Sequence, residues 1–309
     1  MQKENLNNSY TIYINDICHT VLGDDIFDWR QRFFKEFADY LCKKGQKVKI
    51  IEKETLEVRL DGSVTRDVII RDSTAVIQNN ITKHFYVLDC HDWIRPDNIE
   101  LMVHDPRCKK VLKCQYHKKS LNEPIYDKIK PWTYFDRFWP TNEELLIASR
   151  KIKRTTDSLY FRGFSWGPRV IIVEELIKRG ILNPDYERIE FEEYLKECSQ
   201  HRIMLSLPGM ADICHRDIEG FANGTCVLRP KVQIEFHNRL IPDHHYINID
   251  IDINKATPIE FADKIEQRYN EVKDDHEYLD WVARNAMQWY DENVSLQNIL
   301  GLTKQLLDL

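Results

Sequence analysis

The 309-residue sequence has no apolar run approaching the roughly 20 residues that a membrane-spanning helix needs. Neither G-x-G-x-x-G nor G-x-x-x-x-G-K-[ST] occurs in its strand-to-helix segments, which excludes the dinucleotide fingerprint and the P-loop. Glycine is scarce, at 10 residues, and the eight cysteines lie apart at Cys18, Cys42, Cys90, Cys108, Cys114, Cys198, Cys214 and Cys226. That scatter excludes the disulfide framework of a small secreted domain and favours free thiols. Cys108, Cys114 and His117 come nearest to a metal set but lack the paired spacing of a zinc knuckle, so they are expected to be packing residues and no metal site is expected. Excess positive charge is missing too. A net charge of -6 gives no overall attraction to nucleic acid or anionic membrane.

What remains is ordinary for a globular protein: 42% hydrophobic and 30% charged residues, in a length sufficient for two domains. The first residues, MQKENLNNSY, are polar, and the apolar strand behind them is too short for a signal-peptide core. A soluble, cytoplasmic protein is expected. The one basic cluster, RCKKVLKCQYHKK at 107–119, is expected to be a strand with a solvated face.

YTIYIND reads as a first strand ending near Asp16, and IFDWRQRFFKEFADYLCKKG as an amphipathic helix through Phe27, Phe33, Phe34, Phe37, Tyr40 and Leu41 that stops at Gly45. KVKIIE follows as a second strand, making a βαβ unit and hence a parallel sheet. LEVRLDGS predicts a hairpin turn at Asp61-Gly62, and HFYVLDCHDW and CKKVLKCQY two more strands. After an aromatic and proline-bearing stretch, the order repeats: DSLYFRG as a strand, RVIIVEELIKRG as a helix ended by Gly180, then a helix feeding the strand of RIMLSLPG. Asp212 to Asn223 reads as a helix stopped by Gly224, Thr225 to Leu228 as a buried strand, HHYINIDI as another, and TPIEFADKIEQRYN as a helix with Glu260 in a capping box. Two helices, at 275–291 and 295–308, close the chain. The expected organisation is two Rossmann-like halves, residues 1–150 and 151–309.

In open parallel sheets, ligands lie beyond the carboxyl ends of strands. FRGFSWGPR places Arg162 and Gly163 at a strand end and Arg169 at a helix start, where guanidinium and backbone N–H groups suit a phosphate. SLPGMADICHRDIEG leads from a strand to a helix bearing His215, Arg216 and Glu219, and a carboxylate there suits the vicinal hydroxyls of a ribose.

Arg216-x-x-Glu219-x-x-x-x-Gly224 followed by a β run resembles the R-x-x-E-A-x-x-x-G-x-x-P-V signature of exostosin-like glycosyltransferases, with Gly220 in place of the alanine. It also resembles the C-terminal half of the protein O-glucosyltransferase (KDEL-motif) family, in which an F-R-G strand end comes earlier, as in Phe161-Arg162-Gly163. The segment IPDHHYINIDIDINKATPIEFADKI continues the likeness, which covers roughly residues 158–270. The resemblance implies a GT-B fold, α/β, with two Rossmann-like domains facing across a cleft. It also implies a nucleoside diphosphate sugar, such as a UDP-sugar, as donor for a hexosyl or pentosyl group, and transfer with inversion, with no metal or other cofactor required.

Inversion needs a base for the acceptor hydroxyl and a counter-charge for the departing diphosphate. Asp92, with His91 beside it, is the first candidate base, and Asp16, next to His19, the second. Asp250 and Asp252 form D-x-D but are expected on one solvated face of a strand, and of His244 and His245 one is expected to face solvent. Two other functions fit these residues. One is a non-catalytic nucleotide- or sugar-binding protein. The other is a glycosyltransferase acting on a modified base of DNA, for which Lys109, Lys110, Lys113, Lys118 and Lys119 would form a basic cleft.

Overall fold

The computed structural model describes residues 9–15, 28–60, 64–71, 73–91, 99–118, 124–134, 143–163, 167–183, 189–209 and 211–309. The chain divides into two compact units, the first comprising residues 1–140, 234–238 and 296–309, the second 141–233 and 239–295. No helix among the described residues is long and apolar enough to cross a membrane.

The first unit is built on β1 (Ser9–Ile14), α1 (Asp28–Lys43) and β2 (Lys47–Glu52), with β1 and β2 parallel. The helix buries Phe33, Phe34, Phe37 and Leu41 along one stripe, each worth about 1.5–3 kcal/mol of apolar burial. Next, β3 (Thr55–Leu60) and β4 (Val64–Ile69) pair antiparallel as a separate hairpin whose tip, 61–63, lies outside the described residues. Then come β5 (Thr74–Asn79), β6 (Phe85–Asp89), α2 (Glu100–His104), β7 (Cys108–Lys113) and β8 (Ile129–Pro131). The main sheet runs β2-β1-β5-β6-β7-β8. It is mixed rather than parallel, because β5 is antiparallel to both β1 and β6.

The basic cluster forms β7, and its face is only partly solvated. Lys109 is exposed, but Lys113 is fully buried against Asp89 at 2.7 Å, and Lys110 donates to the carbonyl of Leu306 and to Asp308.

The second unit comprises α3 (Glu143–Ser149), α4 (Pro168–Lys178), α5 (Phe191–Gln200), β9 (Ile203–Leu205), α6 (His215–Asn223), β10 (Cys226–Pro230), β11 (Ile247–Ile249), α7 (Pro258–Val272) and α8 (His276–Asn293). Its parallel sheet runs β11-β10-β9, and among the described residues Leu159 and Tyr160 form isolated bridges, so DSLYFRG is not a full strand. Gly180 and Gly224 end their helices at positive φ, +71° and +79°. Thr257 and Glu260 cap α7 reciprocally. The last helix, α9 (Leu296–Leu307), belongs to the first unit, where Thr303 accepts a hydrogen bond from the buried Trp132 indole at 3.1 Å.

Candidate functional site

The second unit holds a cavity of about 310 Å³ at the carboxyl end of β9. Its walls come from three places: Pro168, Arg169 and Ile172 at the start of α4, Leu207 to Gly209 after β9, and Thr257, Pro258 and Phe261 at the start of α7. Proline at N1 or N2 starts both helices, and helix N-termini carry N–H groups without intrahelical partners and a partial positive charge. The lining is otherwise apolar. Such a slot suits a flat ring bearing an anionic group.

Arg169 spans this wall: Nε donates to the Pro208 carbonyl at 2.8 Å and Nη2 to that of Leu207. The guanidinium lies over Gly209, where an added Cβ would stand 2.7 Å from Nη2. Burial lowers the Arg169 pKa, and the charge of Arg216 acts in the same direction against Cys214 and Asp217. Arg162 is engaged elsewhere. It forms an ion pair with Glu197 at 2.8 Å and lines a separate cavity of about 240 Å³ with Tyr160 and His201. The two arginines that sequence spacing brings towards one phosphate thus line different cavities.

Arg216, in the first turn of α6, packs its guanidinium over the Phe161 ring at 4.8 Å. A Cβ on Gly163 would collide with Nη2 and stand 2.9 Å from Cζ, so the F-R-G glycine makes room for this arginine. Nη1 is enclosed and has no hydrogen-bond partner among the described residues. Burial works against the Arg216 charge, but Cys214, Tyr194, Glu219 and Asp217 together outweigh it and raise the pKa.

Glu219 is only 4% exposed, on the buried face of α6, and its Oε2 accepts the Tyr194 hydroxyl at 2.8 Å. Burial, followed by the charge of Glu219, raises the Tyr194 pKa, which keeps the hydroxyl as donor. Gly220 departs from the alanine of the signature for a packing reason: a Cβ would meet Val227 Cγ2 at 2.5 Å and Met204 Sδ at 2.6 Å.

The helix begins at His215, later than the expected Asp212, because Cys214 is its N-cap and Asp217 reaches back to the Cys214 N–H at 2.8 Å. Sequence reading missed the group beneath it. Arg229 of β10, 1% exposed at its side chain, pairs with Asp212 and Asp217, each at 3.0 Å. His215 itself is half-buried.

The remaining predicted residues are dispersed. Asp16 and Asp92 lie outside the described residues, as does Lys119. His91 is half-buried just past β6, and its backbone N–H donates to Asp89 Oδ1 at 3.1 Å. Burial lowers its pKa, with Asp89 opposing and Lys113 assisting. Asp250 and Asp252 are exposed as expected, but they lie past the end of β11, with Asp252 bound to Lys255 at 3.0 Å. His244 and His245 sit in a turn before β11, so strand alternation does not apply. Nδ1 of the buried His245 accepts the Ile241 N–H at 2.9 Å. The ring of His244 meets Trp281 edge-on, centroids 4.9 Å apart.

No family model matches the chain. No curated protein matches it in sequence. Among solved structures, the chain is similar to a glycosyltransferase from Rickettsia africae ESF-5, with a TM-score of 0.52 and 14% identity over 97% of this chain and 98% of that one. Lower scores relate it to an alpha-glucosyltransferase in complex with UDP and a 13-mer DNA containing a central A:G mismatch (TM-score 0.48, 11% identity, 98% and 100% covered). The same holds for an alpha-glucosyltransferase in complex with UDP-glucose and DNA containing an abasic site (0.44, 11%, 97% and 100%). The Rickettsia comparison shows the fold. It is the α/β, GT-B glycosyltransferase fold that the sequence leads one to expect.

Proposed function

We propose that the chain is a glycosyltransferase that moves a hexosyl or pentosyl group from a nucleoside diphosphate sugar to an acceptor hydroxyl, with inversion and without a metal. A shared fold does not by itself fix the chemistry. The observation that carries the reading is the cavity at the end of β9, apolar on its walls and bordered by two helix N-termini. The nucleoside base enters that slot. Glu219 accepts the vicinal ribose hydroxyls and Tyr194 orients the carboxylate. The resemblance of Arg216-x-x-Glu219 to the exostosin-like and protein O-glucosyltransferase signatures supports the same assignment. Asp92, or in second place Asp16, takes the acceptor proton as oxygen attacks the anomeric carbon and the bond to the diphosphate breaks.

The test combines thermal unfolding of the full chain against a panel of nucleotides and nucleotide sugars with a product assay. A ligand at 100 times its Kd adds about 2.7 kcal/mol to native stability. One nucleoside diphosphate should raise the midpoint, and Glu219→Ala should abolish the rise. Asp92→Asn should keep the rise and lose turnover. Donor binding without turnover against any hydroxyl acceptor would favour a non-catalytic binding protein, and no shift with any nucleotide would overturn the reading.

A further inference from the structure

The cavity of about 240 Å³ shares no lining residue with the one at the carboxyl end of β9. Ser158 and His201 border it, Ser158 just before the bridge residues Leu159 and Tyr160, His201 just before β9. It therefore extends beside the segment 158–162 towards its amino end, away from the strand ends that border the larger cavity.

Its charged groups are already joined. Arg162, 10% exposed at its side chain, donates Nε to Glu197 Oε2 at 2.9 Å and Nη2 to Oε1 at 3.1 Å. The Tyr160 hydroxyl donates to Oε2 at 3.2 Å. The guanidinium and the carboxylate cancel, so an arriving anion meets Glu197 and an arriving cation meets Arg162. A zwitterion would have to part the pair, which leaves each enclosed charge without its partner. A hydroxyl both donates and accepts, and a carboxylate has about four lone-pair sites, so a hydroxyl adds to the pair without displacing either member.

The rest of the lining favours the same kind of ligand. The His201 ring lies against that of Tyr160, with centroids 4.7 Å apart and planes inclined at 32°. Nδ1 is 2.8 Å from the Glu197 main-chain carbonyl, which only accepts, so Nδ1 carries the hydrogen and Nε2 of the neutral ring is left as an acceptor. Ser158 and Asn183, both exposed, add side chains that donate and accept. The faces of aromatic rings are electron-rich and suit the C–H face of a saturated ring.

We propose that this cavity is a second ligand site, for a neutral monosaccharide ring, either free or as the terminal residue of a glycan. Its volume falls below the roughly 300–1,000 Å³ of sites for drug-sized ligands, which limits it to a single ring. The assignment stands apart from the nucleotide-sugar reading, since it requires no nucleotide and uses a different cavity.

The experiment is saturation-transfer NMR of the full chain with glucose, galactose and mannose, each also as its methyl glycoside, its 6-phosphate and its 2-amino derivative, and with L-serine as a zwitterion. At least one neutral sugar should bind saturably in the millimolar range, more tightly than its anionic and cationic derivatives and than serine. Binding of the methyl glycoside as well identifies the end of a glycan as the source, and binding of the free sugar alone identifies a free monosaccharide. Glu197→Gln should weaken the neutral sugar about tenfold and, by leaving Arg162 unmatched, shift the preference towards the 6-phosphate. His201→Ala should weaken it by a similar factor. Should Glu197→Gln fail to fold, Asn183→Ala, a change at an exposed position, carries the comparison. Ala256→Phe, which places a ring in the cavity beyond β9, should leave sugar binding within about twofold. No saturable neutral sugar, a wild-type preference for a charged derivative or for serine, or a loss caused by Ala256→Phe and not by the Glu197, His201 or Asn183 variants would overturn the assignment.

Discussion

The guanidinium of Arg216 rests on the bare Cα of Gly163 and on the face of Phe161, so one glycine and one aromatic ring set where that charge lies. Gly163→Ala should displace it. The moving group is the end of a flexible side chain, so the stability cost should fall near the lower end of the roughly 1–3 kcal/mol typical of overpacking. Urea unfolding of the variant measures that cost.

Asp89 and Lys113 end neighbouring parallel strands with neither side chain exposed. Lys113→Met leaves the carboxylate in the interior without its cation and should cost about 3–5 kcal/mol. Adding Asp89→Asn should recover most of that loss, since the amide oxygen still accepts the His91 N–H. Chemical denaturation of both variants checks the pair.

His245 has its pKa pushed down to about 4 by burial and then by the charge of His244. The ring is therefore neutral in the fold at pH values where the unfolded chain, titrating near 6.5, already binds a proton. Between about pH 6.5 and 4 the unfolded state holds more protons, and stability falls as pH falls. Below about 4 this group contributes no further loss. His245→Asn keeps an acceptor for the Ile241 N–H and should flatten this part of the profile, as measured by denaturation at a series of pH values.

Gly224 ends α6 at φ +79° and ψ 22°. Gly224→Ala should destabilise by about 1–2 kcal/mol through backbone conformation alone. It also brings a Cβ to 2.7 Å from Met287 Sδ. Gly224→Asn should lose less on the backbone count, because asparagine tolerates the left-handed region. Thermal unfolding of the two variants separates the contributions.

Local signals were readable in the sequence because their cause lies within a few residues. The Gly224 stop, the Thr257 to Glu260 capping box and the β1-α1-β2 unit all depend on spacing and side-chain type alone. Pairings that join distant residues were not readable in the same way. Nothing near Arg229 announces that two carboxylates await it under α6, and nothing near Tyr194 points to Glu219, 25 positions on. The antiparallel insertion of β5 depends on which strands it meets, and strand pattern does not encode a neighbour. The arginines show the same division: their loop positions follow from spacing, while Glu197 and the Leu207 and Pro208 carbonyls, which occupy two of them, are visible only in three dimensions.

Because α9 belongs to the first unit while most of that unit lies before residue 141, the order of synthesis differs from the order of completion. A ribosome delivers β1 to β8 early, yet the Trp132 indole has no Thr303 to bond until 303 residues have been made. The second unit, ending at Ser295, has all its parts sooner. A cut near residue 150 therefore leaves the first unit without α9, and a chain ending before α9 leaves the Trp132 indole without its Thr303 acceptor.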